Sequence, residues 1–146
     1  MKKIISILIF CVSTIFVNAQ VEKMLGYWIS VDDGTGEQES LFYVYLANDG
    51  NYYGKIVKLL DPKREGAVCD KCNGTEHNKP LEGLIIMKGL KVDGNNLTGG
   101  TIIDPKSGKV YYLKVSLDAK TDRLKIRGSL DKTGILGRTQ YWIRKK

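Results

Sequence analysis

The segment AVCDKCNGTEH, residues 67–77, holds the residue types in this sequence that are best suited to chemistry. Cys69 and Cys72 have the C-x-x-C spacing, which serves redox pairs, zinc sites and short disulfides. Each of these uses gives the protein a different role. The residues around the pair and the compartment of the protein distinguish between them.

A catalytic redox pair is the first alternative for these cysteines. Such a pair needs its first thiolate at a helix N-terminus, where the helix dipole favours the charged form. The residues that follow Cys72 are Asn73, Gly74 and Thr75, a run that disfavours helix formation. The sequence therefore gives little support to redox catalysis, although it leaves that chemistry open.

A structural zinc site is the second alternative, and such a site needs four ligands. The sequence contains a single histidine, His77, so a carboxylate would have to act as the fourth ligand beside the two thiolates. Asp70 and Glu76 are the carboxylates in this segment. Because this ligand set is unusual for zinc, we predict no bound metal and no other cofactor.

The N-terminus indicates the compartment in which these cysteines act. Two lysines at the start precede an uncharged apolar run over residues 4–17, and Ala19 provides the small residue typical of a cleavage site. This layout predicts a signal peptide over residues 1–19, a mature domain over residues 20–146 and an exported protein, periplasmic or secreted. A membrane anchor is the alternative, but the run is shorter than the roughly 18 residues that a membrane-spanning helix needs.

An oxidising compartment favours a disulfide over free thiols. The third cysteine, Cys11, lies in the predicted signal peptide and would leave with it, so the mature domain would retain an even pair. We therefore predict a disulfide between Cys69 and Cys72. Because so short a loop has little entropy to lose, the bond would contribute only about 2 kcal/mol to stability.

Motifs of catalysis and nucleotide binding are absent from the sequence. No G-x-S-x-G, H-E-x-x-H or P-loop pattern occurs, and a Ser-His-Asp triad would have to use the lone His77. We predict no catalytic residues, and the sequence favours a protein that is not an enzyme.

Tyrosine is the residue type that most strongly suggests a ligand site. Eight tyrosines occur, and their rings combine apolar area with a hydrogen-bonding tip, which suits the wall of a ligand cavity. Ordinary packing between strands is the alternative explanation. The predicted ligand-binding residues are Trp28, Tyr43, Tyr45, Tyr111, Arg138 and Gln140.

Arg138 and Gln140 lie on the last strand-like segment, on one face with Trp142 and Arg144. If that face points inward, an arginine there must be paired or must meet an anionic ligand, because an unpaired buried charge is strongly unfavourable. If the face points outward, the arginines are solvated. The sequence leaves the two orientations open.

The elements that must position these residues are short β-rich segments. They are rich in aromatic and β-branched residues, and Asn-, Asp- and Gly-rich turns separate most of them. The predicted strands are 26–31, 41–47, 52–60, 84–92, 96–103, 110–117, 123–130 and 138–145. Eight antiparallel strands joined by short hairpins predict an all-β, up-and-down barrel, because closure removes both sheet edges. A sandwich of the same strands is the alternative.

Net charge limits the partners of this domain. Without the two N-terminal lysines, 21 basic residues stand against 16 acidic residues, so the predicted mature domain is basic. The basic residues are spread singly along the strands, as on a solvated exterior, and export makes nucleic acid the weakest partner. Contact with a membrane surface is compatible with this charge but not required by it, and the sequence does not indicate an oligomeric state.

Residues of the first and last strands resemble a known superfamily. Gly26 and Trp28, together with the late Arg144, resemble the Gly-x-Trp and arginine pairing of the calycins, the superfamily of lipocalin-like barrels. This resemblance implies that the first and last strands are neighbours. It also implies that the arginine packs over the tryptophan at the closed end of the barrel.

A closer resemblance covers nearly the whole predicted mature domain. The motifs GYW, YGKI, CDKCNG, DPKSGKVY, LKIRG and GRTQYWIR occur in this order. They resemble the bacterial exported family called domain of unknown function 2147. The resemblance implies a lipocalin-like barrel behind a signal peptide, and it implies no activity.

Together these features predict a non-enzymatic exported barrel that binds a small amphiphilic or anionic molecule. The alternative from a different class is a structural or interaction module of the cell envelope, with a barrel filled by side chains. An interior cavity separates the two predictions, because a packed core leaves no room for a ligand.

Overall fold

The computed structural model describes Ile9 and residues 18–146. The predicted signal peptide lies almost wholly outside the described residues, and so does Cys11. Within residues 18–146, no helix is long and apolar enough to cross a membrane.

Eight strands and one short α-helix make up most of the regular structure of residues 18–146. The helix, α1, spans Ala19–Met24. The strands are β1 (Gly26–Val31), β2 (Gln38–Leu46), β3 (Tyr52–Leu59), β4 (Ile85–Asp93), β5 (Asn96–Ile103), β6 (Val110–Asp118), β7 (Arg123–Ser129) and β8 (Gly137–Arg144). Two single-turn 3-10 helices, Pro62–Arg64 and Gly74–Glu76, lie between β3 and β4. Every predicted strand overlaps an observed one.

The strands form one closed barrel in which each strand pairs with its neighbours in sequence, always antiparallel. β8 returns to β1, with Trp28 opposite Arg144 and Ile29 opposite Ile143. This closure confirms the predicted eight-stranded, up-and-down barrel and excludes the sandwich. In such a barrel the β1–β2, β3–β4, β5–β6 and β7–β8 connections lie at one end, and we call this end the open end.

Turn-forming carboxylates shape two connections at the open end. At the β1–β2 turn, the carboxylate of Asp32 accepts hydrogen bonds from the backbone N–H groups of Gly34 (2.9 Å) and Thr35 (2.8 Å). At the β5–β6 turn, Asp104 accepts one from the backbone N–H of Lys106 (3.0 Å). These Asx turns reverse the chain within a few residues and so keep adjacent strands in register.

The other end of the barrel is closed by α1 together with β1 and β8. Val21 and Met24 of α1 are 2% and 0% exposed, and they pack in one apolar cluster with Trp28. The indole N–H of Trp28 donates to the backbone carbonyl of Met24 at 2.8 Å, which ties α1 to β1. The guanidinium of Arg144 lies 4.4 Å from the centre of the Trp28 ring, the arrangement that the calycin resemblance implies.

The long connection between β3 and β4 is ordered by its own contacts. Cys69 and Cys72 form the predicted disulfide, with their Cα atoms 5.3 Å apart, and both are buried in the main apolar cluster. Val68 and Pro80 form an isolated β-bridge, and the backbone N–H of Cys69 donates to the carbonyl of Lys79 at 2.8 Å. The connection therefore packs as part of the domain.

Candidate functional site

The interior of the barrel holds a cavity of about 560 Å³, which is lined in part by the connections at the open end. All eight described strands contribute residues to its wall. A volume of this size lies within the range of small-molecule sites in proteins. The barrel is therefore hollow at this end and not filled by side chains.

Apolar side chains form much of the wall. The rings of Phe42 on β2 and Trp142 on β8, the two strands that flank β1, stack inside the barrel with centroids 4.0 Å apart and planes inclined by 9°. Ile56, Ile86 and Ile126 line the cavity from β3, β4 and β7. These residues face inward because alternate side chains of a strand point to opposite faces, and the two rings are buried.

Uncharged polar side chains interrupt this apolar wall. Ser30 and Ser40 lie opposite each other in the β1–β2 ladder and are only 6% and 5% exposed, so two hydroxyl groups are adjacent inside the barrel. Tyr111 and Gln140 also line the cavity, and the side-chain oxygen of Gln140 accepts a hydrogen bond from the indole N–H of Trp142 at 3.4 Å. A few such groups in an apolar pocket fix the orientation of a ligand.

Charged residues line the mouth of the cavity. They are Asp32, Asp33, Glu39, Arg64, Asp104, Lys106 and Arg138. Arg138 forms an ion pair with Asp33 at 2.8 Å, and Lys106 forms one with Glu39 at 2.9 Å. The hydrogen bond from Arg138 to Asp33 raises the pKa of the arginine, which stays charged.

The two other carboxylates of this set are held by their own turns. Hydrogen bonds from the backbone N–H of Thr35 and then that of Gly34 lower the pKa of Asp32. Asp104 accepts the backbone hydrogen bond of the β5–β6 turn. Arg64 forms no ion pair within the part of the chain that the structure describes. Arg64 is therefore the cation of the mouth that remains available to an anionic group.

Three of the predicted ligand-binding residues, Tyr111, Arg138 and Gln140, line the cavity. The face of β8 that carries Arg138 and Gln140 therefore points inward, which decides the orientation that the sequence left open. Trp28 lies elsewhere: it is fully buried at the closed end, against Arg144 and α1, and is not part of the cavity lining.

Tyr43 and Tyr45 lie on the outer face of the barrel, which corrects their expected position on a cavity wall. Their side chains have the opposite parity on β2 to the buried Phe42. They pack instead in an outer row with Tyr27 and Tyr53, with neighbouring ring centroids between 4.8 and 6.1 Å apart. A tyrosine suits either face of a strand, so its presence alone did not indicate the side.

Several residues of the cavity were not among those predicted from the sequence. Ser40 and Phe42 alternate with the tyrosines of β2, and Trp142 shares the inward face of Gln140, so strand parity contained a signal for them. Arg64 lies in the nonperiodic β3–β4 connection, where no pattern indicated its position at the mouth.

A second concave region, of about 410 Å³, lies outside the barrel between the long connection and the strands β3 and β4. Two of its residues, Glu76 and Lys88, form an ion pair with each other, and this contact lowers the pKa of Glu76. Nδ1 of the nearby His77 lies 2.9 Å from the carbonyl oxygen of Cys72. Among the described residues, no three His, Cys, Asp or Glu side chains form a metal-binding group.

Comparison with known proteins gives a family and a fold. The family model described as "Uncharacterized protein conserved in bacteria (DUF2147)" matches residues 26–144. A solved structure described as "Protein HP1028 from the human pathogen Helicobacter pylori belongs to the lipocalin family" is similar over 84% of this chain and 82% of that chain, with a TM-score of 0.70 and 22% identity. At this identity the likeness shows the fold alone, a lipocalin-like barrel. No curated protein matches the chain.

Proposed function

The chain belongs to DUF2147, a family of uncharacterised bacterial proteins whose description assigns no activity, and from the geometry of the barrel we propose that it binds a small amphiphilic molecule in the interior cavity. The observation that carries this proposal is the cavity of about 560 Å³, which all eight strands line. The apolar part of the ligand packs against Phe42, Trp142 and the isoleucines of the wall. Its polar end stays at the charged mouth.

The polar end of this ligand carries one negative charge. Arg64 is the cation at the mouth without an ion pair among the described residues, and a guanidinium binds a carboxylate through charge-assisted hydrogen bonds. The mouth also carries four carboxylates and three cations, so its excess of negative charge repels a multiply charged anion. A long-chain carboxylate meets both requirements.

Titration with cis-parinaric acid, a fluorescent long-chain carboxylate, tests this proposal. We expect saturable binding to the wild-type protein and at least about tenfold weaker binding to Gly128→Leu, whose new side chain occupies the cavity. A Cβ atom at Gly128 would lie 3.5 Å from Tyr111 and 3.6 Å from Ile102, an ordinary contact that the barrel tolerates. Ser116→Leu adds the same side chain to the outer face of β6 and is the matched control.

The charge at the mouth is tested separately with Arg64→Gln. We expect about fivefold weaker binding of parinaric acid and unchanged binding of the corresponding uncharged alcohol, because only the acid meets the guanidinium. Equal effects on both probes would contradict the role of Arg64. A wild-type protein that binds neither probe would favour the alternative of a structural or interaction module.

We also propose that the protein is exported after removal of residues 1–19. The basic and apolar start of the sequence supports this, and the Cys69–Cys72 disulfide is compatible with an oxidising compartment. Mass spectrometry of the protein exported by a bacterial host should find Gln20 at the N-terminus. Exported protein that retains Met1 would contradict the proposal.

A further inference from the structure

The connection between β7 and β8 presents apolar side chains to solvent at the open end. Leu130, Ile135 and Leu136 are 68%, 77% and 63% exposed, and we call these three residues the apolar tip. A single exposed leucine is ordinary on a protein surface. Three large aliphatic side chains in one seven-residue connection form a patch, and such patches mark contact sites.

The apolar tip is held in this position by hydrogen bonds of the connection itself. The carboxylate of Asp131 accepts hydrogen bonds from the backbone N–H groups of Leu136 (2.9 Å) and Ile135 (3.4 Å). The backbone N–H of Leu130 donates to the carbonyl of Leu136 at 2.8 Å. These contacts shape the connection so that its aliphatic side chains stay in water.

Arg127 anchors the same connection to the barrel wall. Its Nε donates to the carbonyl of Gly134 at 2.9 Å, and one terminal nitrogen donates to the carbonyl of Ile135 at 3.2 Å. The other terminal nitrogen donates to the hydroxyl of Thr139 on β8 at 3.0 Å. Since Arg127 satisfies the carbonyls of this turn, the connection keeps its form without burying the apolar tip.

The apolar tip is continuous with the interior cavity. Leu130 and Leu136 both line the cavity, and both are largely exposed to solvent. An apolar path therefore leads from the outer surface of the connection into the barrel. Ile135 is exposed but does not line the cavity, so it belongs to the outer surface alone.

Charge near the apolar tip selects the kind of surface that it contacts. Lys132 in the same connection and Lys109 in the neighbouring β5–β6 connection are exposed, and neither forms an ion pair within residues 18–146. The carboxylates of Asp131 and Asp104 in these connections accept hydrogen bonds within their own turns. This side of the mouth thus combines aliphatic side chains with available cations, which complements an anionic lipid surface.

We propose that the apolar tip docks the open end of the barrel on a lipid bilayer that contains anionic lipids. Leu130, Ile135 and Leu136 insert at the boundary between head groups and acyl chains, and Lys109 and Lys132 lie among the head groups. A bilayer suits this tip because a protruding turn needs no complementary groove in a fluid surface. The β1–β2 connection, with Asp32, Asp33 and Glu37, tilts away from the anionic surface.

This docking extends the proposed function. It rests on that function for the identity of the ligand that moves between the bilayer and the cavity. An amphiphile that leaves the bilayer follows the apolar path past Leu130 and Leu136 into the cavity, so its apolar part avoids water. The docking itself needs no ligand. It can therefore be measured even if parinaric acid does not bind.

Co-sedimentation with vesicles of phosphatidylethanolamine and phosphatidylglycerol tests the docking. We expect wild-type protein to sediment with these vesicles, and Ile135→Ser to bind about tenfold more weakly because one large aliphatic side chain no longer inserts. Lys132→Gln should bind about fivefold more weakly, and salt should reduce the binding of wild type. Leu46→Ser removes a 52% exposed leucine at the opposite end and should bind like wild type.

Parinaric acid binding without vesicles separates the two proposals. Ile135→Ser should bind this probe like wild type, because Ile135 does not line the cavity. The docking would be overturned if wild-type protein did not sediment with the vesicles, or if Ile135→Ser and Leu46→Ser sedimented equally. The docking would also be overturned if wild-type protein formed a dimer and did not bind vesicles, and if Ile135→Ser dissociated that dimer. A second copy would then cover the apolar tip.

Discussion

Arg144 links β8 to three other parts of the closed end through one side chain. Its guanidinium lies 4.4 Å from the centre of the Trp28 ring and donates hydrogen bonds to both carboxylate oxygens of Asp122, at 3.0 and 3.1 Å. It also donates to the backbone carbonyl of Lys23 in α1 at 3.0 Å. A planar cation with several N–H donors can stack and bridge at the same time, which an ammonium group cannot.

Arg144→Ala should lower the free energy of unfolding by about 1–2 kcal/mol, because it removes the contact with Trp28 and several partly exposed hydrogen bonds. Arg144→Lys should recover only part of this loss, since it cannot make all the contacts together. Chemical denaturation followed by tryptophan fluorescence measures both. Arg123→Ala, at an exposed position of β7, is the control, and an equal loss there would contradict the role of Arg144.

Asp131 gives the open end a contribution to stability that depends on pH. A hydrogen bond from the hydroxyl of Thr133, and then that from the backbone N–H of Leu136, lower the pKa of Asp131. A carboxylate with a lowered folded-state pKa stabilises the fold above its unfolded pKa of about 3.9. This contribution is lost as the pH falls through the lower folded-state value.

Asp131→Asn should show this dependence, because it removes the charge and keeps the shape of the side chain. The difference in unfolding free energy between wild type and the variant should stay constant above about pH 5 and shrink below about pH 4. Denaturant titrations at a series of pH values measure it. The interpretation fails if the difference is the same at about pH 3 and about pH 7.

At the level of elements, the β3–β4 and β5–β6 connections are packed against each other. Gly108 has a φ of +73°, and a Cβ atom there would overlap the backbone carbonyl of Lys71, next to the disulfide. Glycine is therefore required at this position for two reasons, the backbone conformation and the close approach. The disulfide shapes the β3–β4 connection so that this contact can form.

Replacement of both Cys69 and Cys72 by alanine should lower the free energy of unfolding by about 2 kcal/mol, because the loop that the bond closes is very short. Alanine avoids placing a hydroxyl group at these buried positions. Far-ultraviolet circular dichroism should show an unchanged barrel. Loss of the β signal in the double variant would mean that the bond, and not strand packing, maintains the fold.

At the level of the whole molecule, stability and the candidate site occupy opposite ends of the barrel. Trp28, Leu97, Val115 and Leu124 are all fully buried around the closed end, beneath α1, and none of them lines the cavity. Close packing there supplies a large part of the hydrophobic stabilisation. Because the closed end supplies this hydrophobic stabilisation, the open end can remain hollow.

A bound ligand should therefore add stability to the whole barrel. At a free concentration of 100 times its Kd, parinaric acid should raise the free energy of unfolding by about 2.7 kcal/mol, since it binds the folded state alone. Thermal denaturation with and without the probe measures this effect as a higher midpoint. Because it should bind at least about tenfold more weakly, Gly128→Leu should show at most about half of this rise, whereas Ser116→Leu should show the full rise. Equal behaviour of these variants would contradict an interior site.

Local patterns in the sequence predicted the eight strands and the disulfide, and they favoured a closed barrel over a sandwich. Alternating residues and Asx turns are local signals, because the two faces of a strand and the geometry of a tight turn depend on neighbouring residues. The pairing of Trp28 with Arg144 followed from a resemblance at the ends of the chain, and the C-x-x-C spacing placed both cysteines within reach of each other. The strands and the disulfide depend on neighbouring residues, whereas the Trp28–Arg144 contact joins the two ends of the chain and was expected from the resemblance.

The tertiary structure was needed to establish which residues meet inside the barrel. Parity divides a strand into two faces, but Tyr43 and Gln140 are chemically suited to either, and only barrel closure placed one outside and the other inside. The position of Arg64 at the mouth depends on how the β3–β4 connection packs, and the exposure of Ile135 depends on Arg127. These are contacts between segments distant in sequence or between a loop and a strand, and no local pattern encodes them.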